Sequence, residues 1–356
     1  MFTVNRAALE SELAVLQTVA EKNTTMPVLA NVMLDVADKL TLFATNLDAS
    51  VVSEIEVQGE PWAGCLPMAE LTKFVRLAEP DQLVFQVKES RMQIKADKAK
   101  CLLPIIEREH FPALPVVAEG AGLTLPGETL RTMLARLLPC VTKEESRYNL
   151  KAVKFEARDG TLKMAATDQH RLGVATLPVD GEIDTLVPVD GLAPLLNTSA
   201  DVITMNANEN QASFRCGHQL IVTRLLDGKF PAWEMIWPKG LPYQCDIATE
   251  SITTALRRVE ITRNTMRDSA VRLTFTQESI GIDSGETDRG QCDEQVDITG
   301  NLNGESILIG INPDYMMGFL RHAGERVTCE LRDGKNVLKL SDGSAFEYVV
   351  MPMGID

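Results

Sequence analysis

The residues best suited to proton chemistry are the carboxylate and imidazole of Thr167-Asp168-Gln169-His170-Arg171-Leu172, which stand two positions apart. Side chains two apart on a strand project to one face, so Asp168 and His170 would form an acid–base pair if this stretch is extended. The supply is thin, because only four histidines, at 110, 170, 218 and 322, are available to build such a site. The sequence carries no Gly-Lys-Ser/Thr phosphate loop, no His-Glu-x-x-His zinc motif, no Gly-x-Ser-x-Gly elbow and no calcium loop. Gly120-Ala121-Gly122 precedes an expected strand, whereas a nucleotide-binding glycine loop follows one, so these glycines read as a linker. Seven cysteines, at 65, 101, 140, 216, 245, 292 and 329, form no close pair and suggest neither a disulfide framework nor a zinc ribbon. They read as buried or incidental thiols.

The elements that must hold these residues repeat. Phe111-Pro112 and Phe230-Pro231 each close an apolar run and lie 119 residues apart. Leu42-Phe43-Ala44-Thr45-Asn46-Leu47-Asp48 is matched by Leu162-Lys163-Met164-Ala165-Ala166-Thr167-Asp168, with Thr45 and Thr167 separated by 122, and Cys65-Leu66-Pro67 by Leu186-Val187-Pro188 at 121. A fainter third copy opens at Ile309-Gly310-Ile311-Asn312-Pro313 and closes at Tyr348-Val349-Val350-Met351-Pro352. A period this long is too large for a solenoid, so each copy should be a domain with its own core: 1–118, 119–243 and 244–356. Each copy begins with a short strand (2–4, 122–125, 245–248) and a helical stretch (7–19, 128–141, 251–261). Leu9, Leu13, Leu16 and Ala20 share one helical face. Alternating stretches then read as strands, and a second short helix follows at about 69–77, 191–196 and 315–323. The implied unit is α+β: two helices packed on antiparallel sheets.

Net charge is −15, divided as −5, −2 and −8 among the three copies, which argues against nonspecific nucleic-acid binding by the outer surface. The helices nevertheless hold a local cationic excess: Arg6, Lys73, Arg76, Arg131, Arg136, Lys143, Arg257, Arg258, Arg263 and Arg321. Such residues ordinarily cover the solvent face of an amphipathic helix, but their recurrence in all three copies asks for a further reason. No apolar run approaches the length of a membrane span and no signal-like start is present, so a cytoplasmic location is expected.

Thr167-Asp168-Gln169-His170-Arg171-Leu172, Leu225-Leu226-Asp227-Gly228-Lys229-Phe230-Pro231 and the C-terminal Tyr348-Val349-Val350-Met351-Pro352-Met353, in this order on a threefold repeat, resemble the bacterial beta sliding clamp family over the whole chain. The resemblance implies a head-to-tail homodimer forming a six-domain ring, with helices lining a hole for duplex DNA and sheets outside. It implies DNA binding without sequence preference, loading by a separate clamp loader, no catalysis and no cofactor. The cationic helices, together with Tyr148, would then face the DNA. The resemblance further implies a groove between the second and third domains that docks linear segments of polymerase subunits and repair proteins. Its lining here would be Leu150, Thr167, Gln169, His170, Arg171, Leu172, Pro231, Met235, Ile236, Val349, Val350, Met351, Pro352 and Met353. Apolar walls and flexible thioethers of this kind accept leucine and phenylalanine anchors. The dimer interface would involve Cys101, Leu103, Glu260 and Ile261.

Several positions depart from the family pattern. Gln169 stands where glycine is common, Met235 where arginine is frequent, and Gly354-Ile355-Asp356 replaces a shorter ending. Asp190 and Asn149 replace a basic and an aromatic residue, and Glu260 stands where an apolar side chain is expected. Glu260 should therefore sit at a rim or pair with a cation, because burying it alone is costly. Two alternatives stay open: a specialised member of the same family, and an enzyme using the Asp168 and His170 pair.

Overall fold

The computed structural model describes residues 1–21, 25–117, 121–142, 144, 150–263, 270–301 and 306–355. Its architecture is α+β, dominated by antiparallel sheet. The chain divides into two compact units. The first comprises Met1–Arg131, Glu156–Gly160 and Val179–Asp227, and the second Thr132–Phe155, Thr161–Pro178 and Gly228–Asp356. The strands of the central sequence copy are thus shared between the two.

In the first unit, the strand Phe2–Asn5 leads into the helix Arg6–Leu16. Asn5 caps that helix, its Oδ1 accepting the Ala8 N–H at 2.9 Å. Leu9, Leu13 and Leu16 are buried, as the helical spacing predicts. The helix ends at Leu16 instead of running to 19. Thr18 donates its hydroxyl to the Val15 carbonyl at 2.6 Å and so competes with the helical ladder. The helix Met68–Leu77 packs against it. An eight-stranded sheet supports them, and within it Gln219–Arg224 pairs with Ala49–Ile55, joining the second copy's chain to the first's.

That junction contains a buried carboxylate the sequence did not flag. Glu12 is 3% exposed; its Oε2 accepts from Ser53 Oγ and from Gln219 Nε2, each at 2.6 Å, and its Oε1 lies 2.9 Å from His218 Nε2. The second helix of the central copy shrinks to Val189–Leu192 followed by a 3-10 turn, Ala193–Asn197. Gly191 permits the close approach there, since a Cβ would meet the Thr223 side chain at 2.4 Å.

The second unit is built around a continuous antiparallel run of Thr161–Thr167, Arg171–Pro178, Phe346–Val350, Leu338–Ser341, Arg326–Leu331, Tyr243–Ala248 and Thr299–Gly300. Arg171–Pro178 pairs with Phe346–Val350 in the register Arg171↔Val350 and Leu172↔Val349. A four-stranded sheet ends at the unpaired edge Asp293–Asp297. The unit's helices include the short Trp233–Ile236, Thr249–Val259 and Pro313–Leu320. Asn312 caps the last of these by accepting the Asp314 N–H at 3.0 Å, and Pro313 occupies its first turn.

Five cysteines, Cys65, Cys140, Cys216, Cys245 and Cys329, are buried. Burial pushes the thiols of Cys65 and Cys216 up to about 11 and that of Cys140 to about 12, which keeps them protonated and inert. Among the described residues no group of three or more His, Cys, Asp or Glu is placed to hold a metal, and no helix is long and apolar enough to cross a membrane.

Candidate functional site

The site begins with a turn. Gln169 has φ of +77°, in the left-handed region that favours glycine, so Asp168 and His170 lie in a bend and not on a strand. Thr167 Oγ1 accepts the Gln169 N–H at 3.1 Å and donates to the Arg171 carbonyl at 2.7 Å. Asp168 Oδ1 accepts the N–H groups of His170 and Arg171 at 3.1 and 3.0 Å, while Oδ2 accepts from Arg171 Nε at 2.9 Å.

The expected Asp168 and His170 acid–base pair is therefore corrected. The carboxylate is spent on the turn and on Arg171, and the imidazole stacks on Tyr315 with centroids 5.9 Å apart. The positive φ at Gln169 is the physical cause, because it ends the extended geometry that would have aligned the two side chains. With this correction the enzyme reading loses the pair it rested on.

Arg171 is likewise committed. Its guanidinium lies 4.6 Å from the Tyr315 ring centroid and donates to the Pro139 carbonyl. Tyr315 thus contacts both His170 and Arg171, and its carbonyl accepts the Tyr348 hydroxyl at 2.9 Å. Burial holds the Tyr348 phenol well above its ordinary value, so it remains a donor.

The C-terminal segment forms the facing wall. Met351 donates its N–H to the His170 carbonyl and Met353 to that of Gly310, each at 2.8 Å. Between these walls lies a cavity of about 780 Å³. Of the predicted groove residues, His170, Arg171, Met351, Pro352 and Met353 line it. Thr167, Leu172, Val349, Val350 and Leu150 are buried. Leu172 and Val349 join Ala165, Val174 and Trp233 in an apolar cluster against which Phe230 and Trp237 pack. Gln169 fixes the turn. Pro231 is half-buried, while Met235 and Ile236 are 85% and 59% exposed and present an apolar surface beside that cluster. Sequence reasoning missed Tyr315, Asn312, Gly318, Leu138 and Pro139, which also line the cavity. Tyr315 could have been suspected as a large aromatic three residues after a helix-capping asparagine.

The cations named from the helices sort into two kinds. Lys73, Arg76, Arg257 and Arg321 are exposed and make no ion pair among the described residues. The others are engaged: Arg6 with Glu10 at 2.6 Å, Arg136 with Asp342 at 3.0 Å, Arg258 with Glu294 at 3.0 Å, and Arg263 with Glu260 and Asp314 at 3.4 and 3.3 Å. Arg131 donates to the Ala200 carbonyl at 2.9 Å. Lys143 and Tyr148 lie outside the described residues.

Of the predicted interface residues, Cys101 is half-buried and Leu103 is 5% exposed, on the edge strand Ala99–Pro104; Leu102, 49% exposed, points outward. Ile261 is 68% exposed. Glu260 has a side chain 30% exposed with Arg263 as its cation. Burial, then Asp314, raise its carboxyl above the ordinary value, against the opposing pull of Arg263, Arg321 and Arg257.

Comparison with known proteins gives full coverage. Family profiles for the DNA polymerase III beta subunit match in tandem: the N-terminal domain at residues 1–115, the central domain at 124–232 and the C-terminal domain at 235–354. A beta sliding clamp of Haemophilus influenzae is 25% identical, covering 99% of both chains. The crystal structure of a sliding clamp from Pseudomonas aeruginosa bound to griselimycin superposes with a TM-score of 0.88 at 26% identity, covering 99% of both chains. The DNA polymerase III beta subunit of Thermotoga maritima shares the fold, with a TM-score of 0.91 at 19% identity over 100% of both chains.

Proposed function

The chain belongs to the bacterial DNA polymerase III beta subunit family, the beta sliding clamps, and from that premise we propose that it is a DNA polymerase processivity factor. It is an accessory subunit without catalysis of its own. Three domains, 1–118, 119–243 and 244–356, pair head to tail with those of a second copy to encircle duplex DNA in the cytoplasm. The observation that carries this reading is the tandem match of all three family domains along one chain, with full coverage of the relatives.

Features of each unit support the pairing. The edge strand Ala99–Pro104 belongs to a sheet bearing Arg91, Lys95, Lys98 and Lys100, whereas the edge strand Asp293–Asp297 carries Asp293, Glu294 and Asp297. Opposite charges on two unpaired edges favour antiparallel joining between copies and disfavour like edges meeting. A hollow of about 380 Å³ beside Phe74, Leu77, Ala78 and Ala99 offers one protomer a seat for an apolar side chain such as Ile261 of the partner subunit.

DNA retention in this reading is topological, so weak phosphate attraction by Lys73, Arg76 and Arg257 suffices and leaves the ring free to slide. Opening requires a separate clamp loader, since the chain has no nucleotide motif. The groove at His170, Tyr315 and Met351–Met353 docks linear segments of polymerase subunits and repair proteins, with leucine and phenylalanine anchors entering its apolar parts.

Light scattering across a dilution series tests the assembly: the mass should hold near twice the 39.1 kDa of one chain. Loading onto nicked circular plasmid with the cognate loader tests encirclement. Protein should co-elute with the circle and leave when the plasmid is linearised. A persistent monomer, or retention indifferent to linearisation, would refute the clamp reading.

A further inference from the structure

Among the described residues of the groove, one cation has a side chain without a partner. Arg321 follows the helix Pro313–Leu320 as its C-cap, is exposed, and lines the groove with Tyr315, Gly318 and the C-terminal segment. The other charges there are largely matched. Asp168 is bound to Arg171 at 2.9 Å, and Asp314 to Arg263 at 3.3 Å. The Arg321 guanidinium has no hydrogen bond or ion pair among the described residues; Glu260 feels its field without forming a contact.

Resting on the docking reading above, we propose that Arg321 reads a carboxylate on the docked segment. The occupant is a linear peptide with apolar anchors and one Asp or Glu beside them. Its anchors cover Met351 and the Tyr315 wall, and its acidic side chain reaches the unmatched guanidinium. Charge complementarity argues for this chemistry. With Asp168 and Asp314 already paired, Arg321 is a surplus positive group, which would be left beside an apolar segment unless that segment supplied the partner. An exposed pair of this kind adds little affinity and serves mainly to select and orient.

The test is a double-mutant cycle read by fluorescence anisotropy. Peptides with leucine and phenylalanine anchors carry a single Asp at successive flanking positions, each matched to an Asn control, against the full chain and its Arg321→Ala and Arg321→Lys variants. At one position Asp should bind the unsubstituted chain about threefold more tightly than Asn. That preference should vanish in Arg321→Ala, persist in part in Arg321→Lys, and shrink at high salt, with the Asn control binding all three proteins alike. Peptides that bind with no Asp preference at any position, or with a preference Arg321→Ala leaves unchanged, overturn the inference while sparing the groove. Failure of every peptide to bind the unsubstituted chain overturns both.

Discussion

Met351 donates its main-chain N–H to the carbonyl of His170 at 2.8 Å, and Arg224 donates in the same way to Asp48 at 2.9 Å. The two bonds occupy matching places in the repeat. Thr45 repeats the hydrogen bonds of Thr167, accepting from Leu47 N at 3.0 Å and donating to the Ala49 carbonyl at 2.9 Å, and Leu47, with φ of +76°, is left-handed like Gln169. The side chains differ. Arg224 reaches Asp48 at 3.7 Å beside a hollow of about 160 Å³, whereas Met351 and His170 carry no such pair and border about 780 Å³. One backbone design thus gives a nearly filled junction and an open one.

Replacing His170 with Ala removes the ring stacked on Tyr315, and Met351→Ala removes the flexible thioether opposite. Each should weaken peptide docking about tenfold in an anisotropy titration while leaving the molar mass of the assembly unchanged.

Glu12→Ala should cost about 2 to 4 kcal/mol in denaturant unfolding, because it leaves the Ser53 hydroxyl and the Gln219 amide buried without their acceptor. Glu12→Gln keeps one acceptor oxygen and should lose less; equal losses would mean that packing, not these bonds, sets the cost.

Gln169→Gly relieves a left-handed conformation and should raise stability by about 1 kcal/mol by calorimetry, with the extra chain entropy of glycine offsetting part of the gain. Gln169→Val should be destabilising, since a β-branched side chain tolerates that φ poorly.

Arg136 and Arg257 should behave oppositely. Arg136→Ala leaves Asp342, whose side chain is 2% exposed, without its ion pair, and should cost about 3 kcal/mol of stability. Arg257→Ala should leave melting unchanged but reduce the salt dependence of DNA association by roughly one phosphate contact.

Glu260 makes stability depend on pH. Its carboxyl sits above the ordinary value in the folded chain, so the native state binds this proton more readily than the unfolded one. Its stabilising contribution is full below the ordinary carboxylate value of 4.5 and is lost as pH rises through the folded value. Unfolding of Glu260→Gln, measured across this range beside the unsubstituted chain, should lack that decline.

The sequence alone determined the threefold repeat, the α+β class, the helical faces of Leu9, Leu13 and Leu16, and the motif set around His170 and Met351. These are legible because spacing along the chain records burial and turn chemistry directly. Tertiary structure decided what those residues touch. It sent Asp168 to Arg171 and His170 to Tyr315, buried Glu12 under a strand some two hundred residues away, and divided the helix cations into the paired and the uncommitted. None of this leaves a periodic trace, since a side chain's partner depends on strand register across distant segments and on one backbone angle at Gln169, and both arise only when the sheet closes.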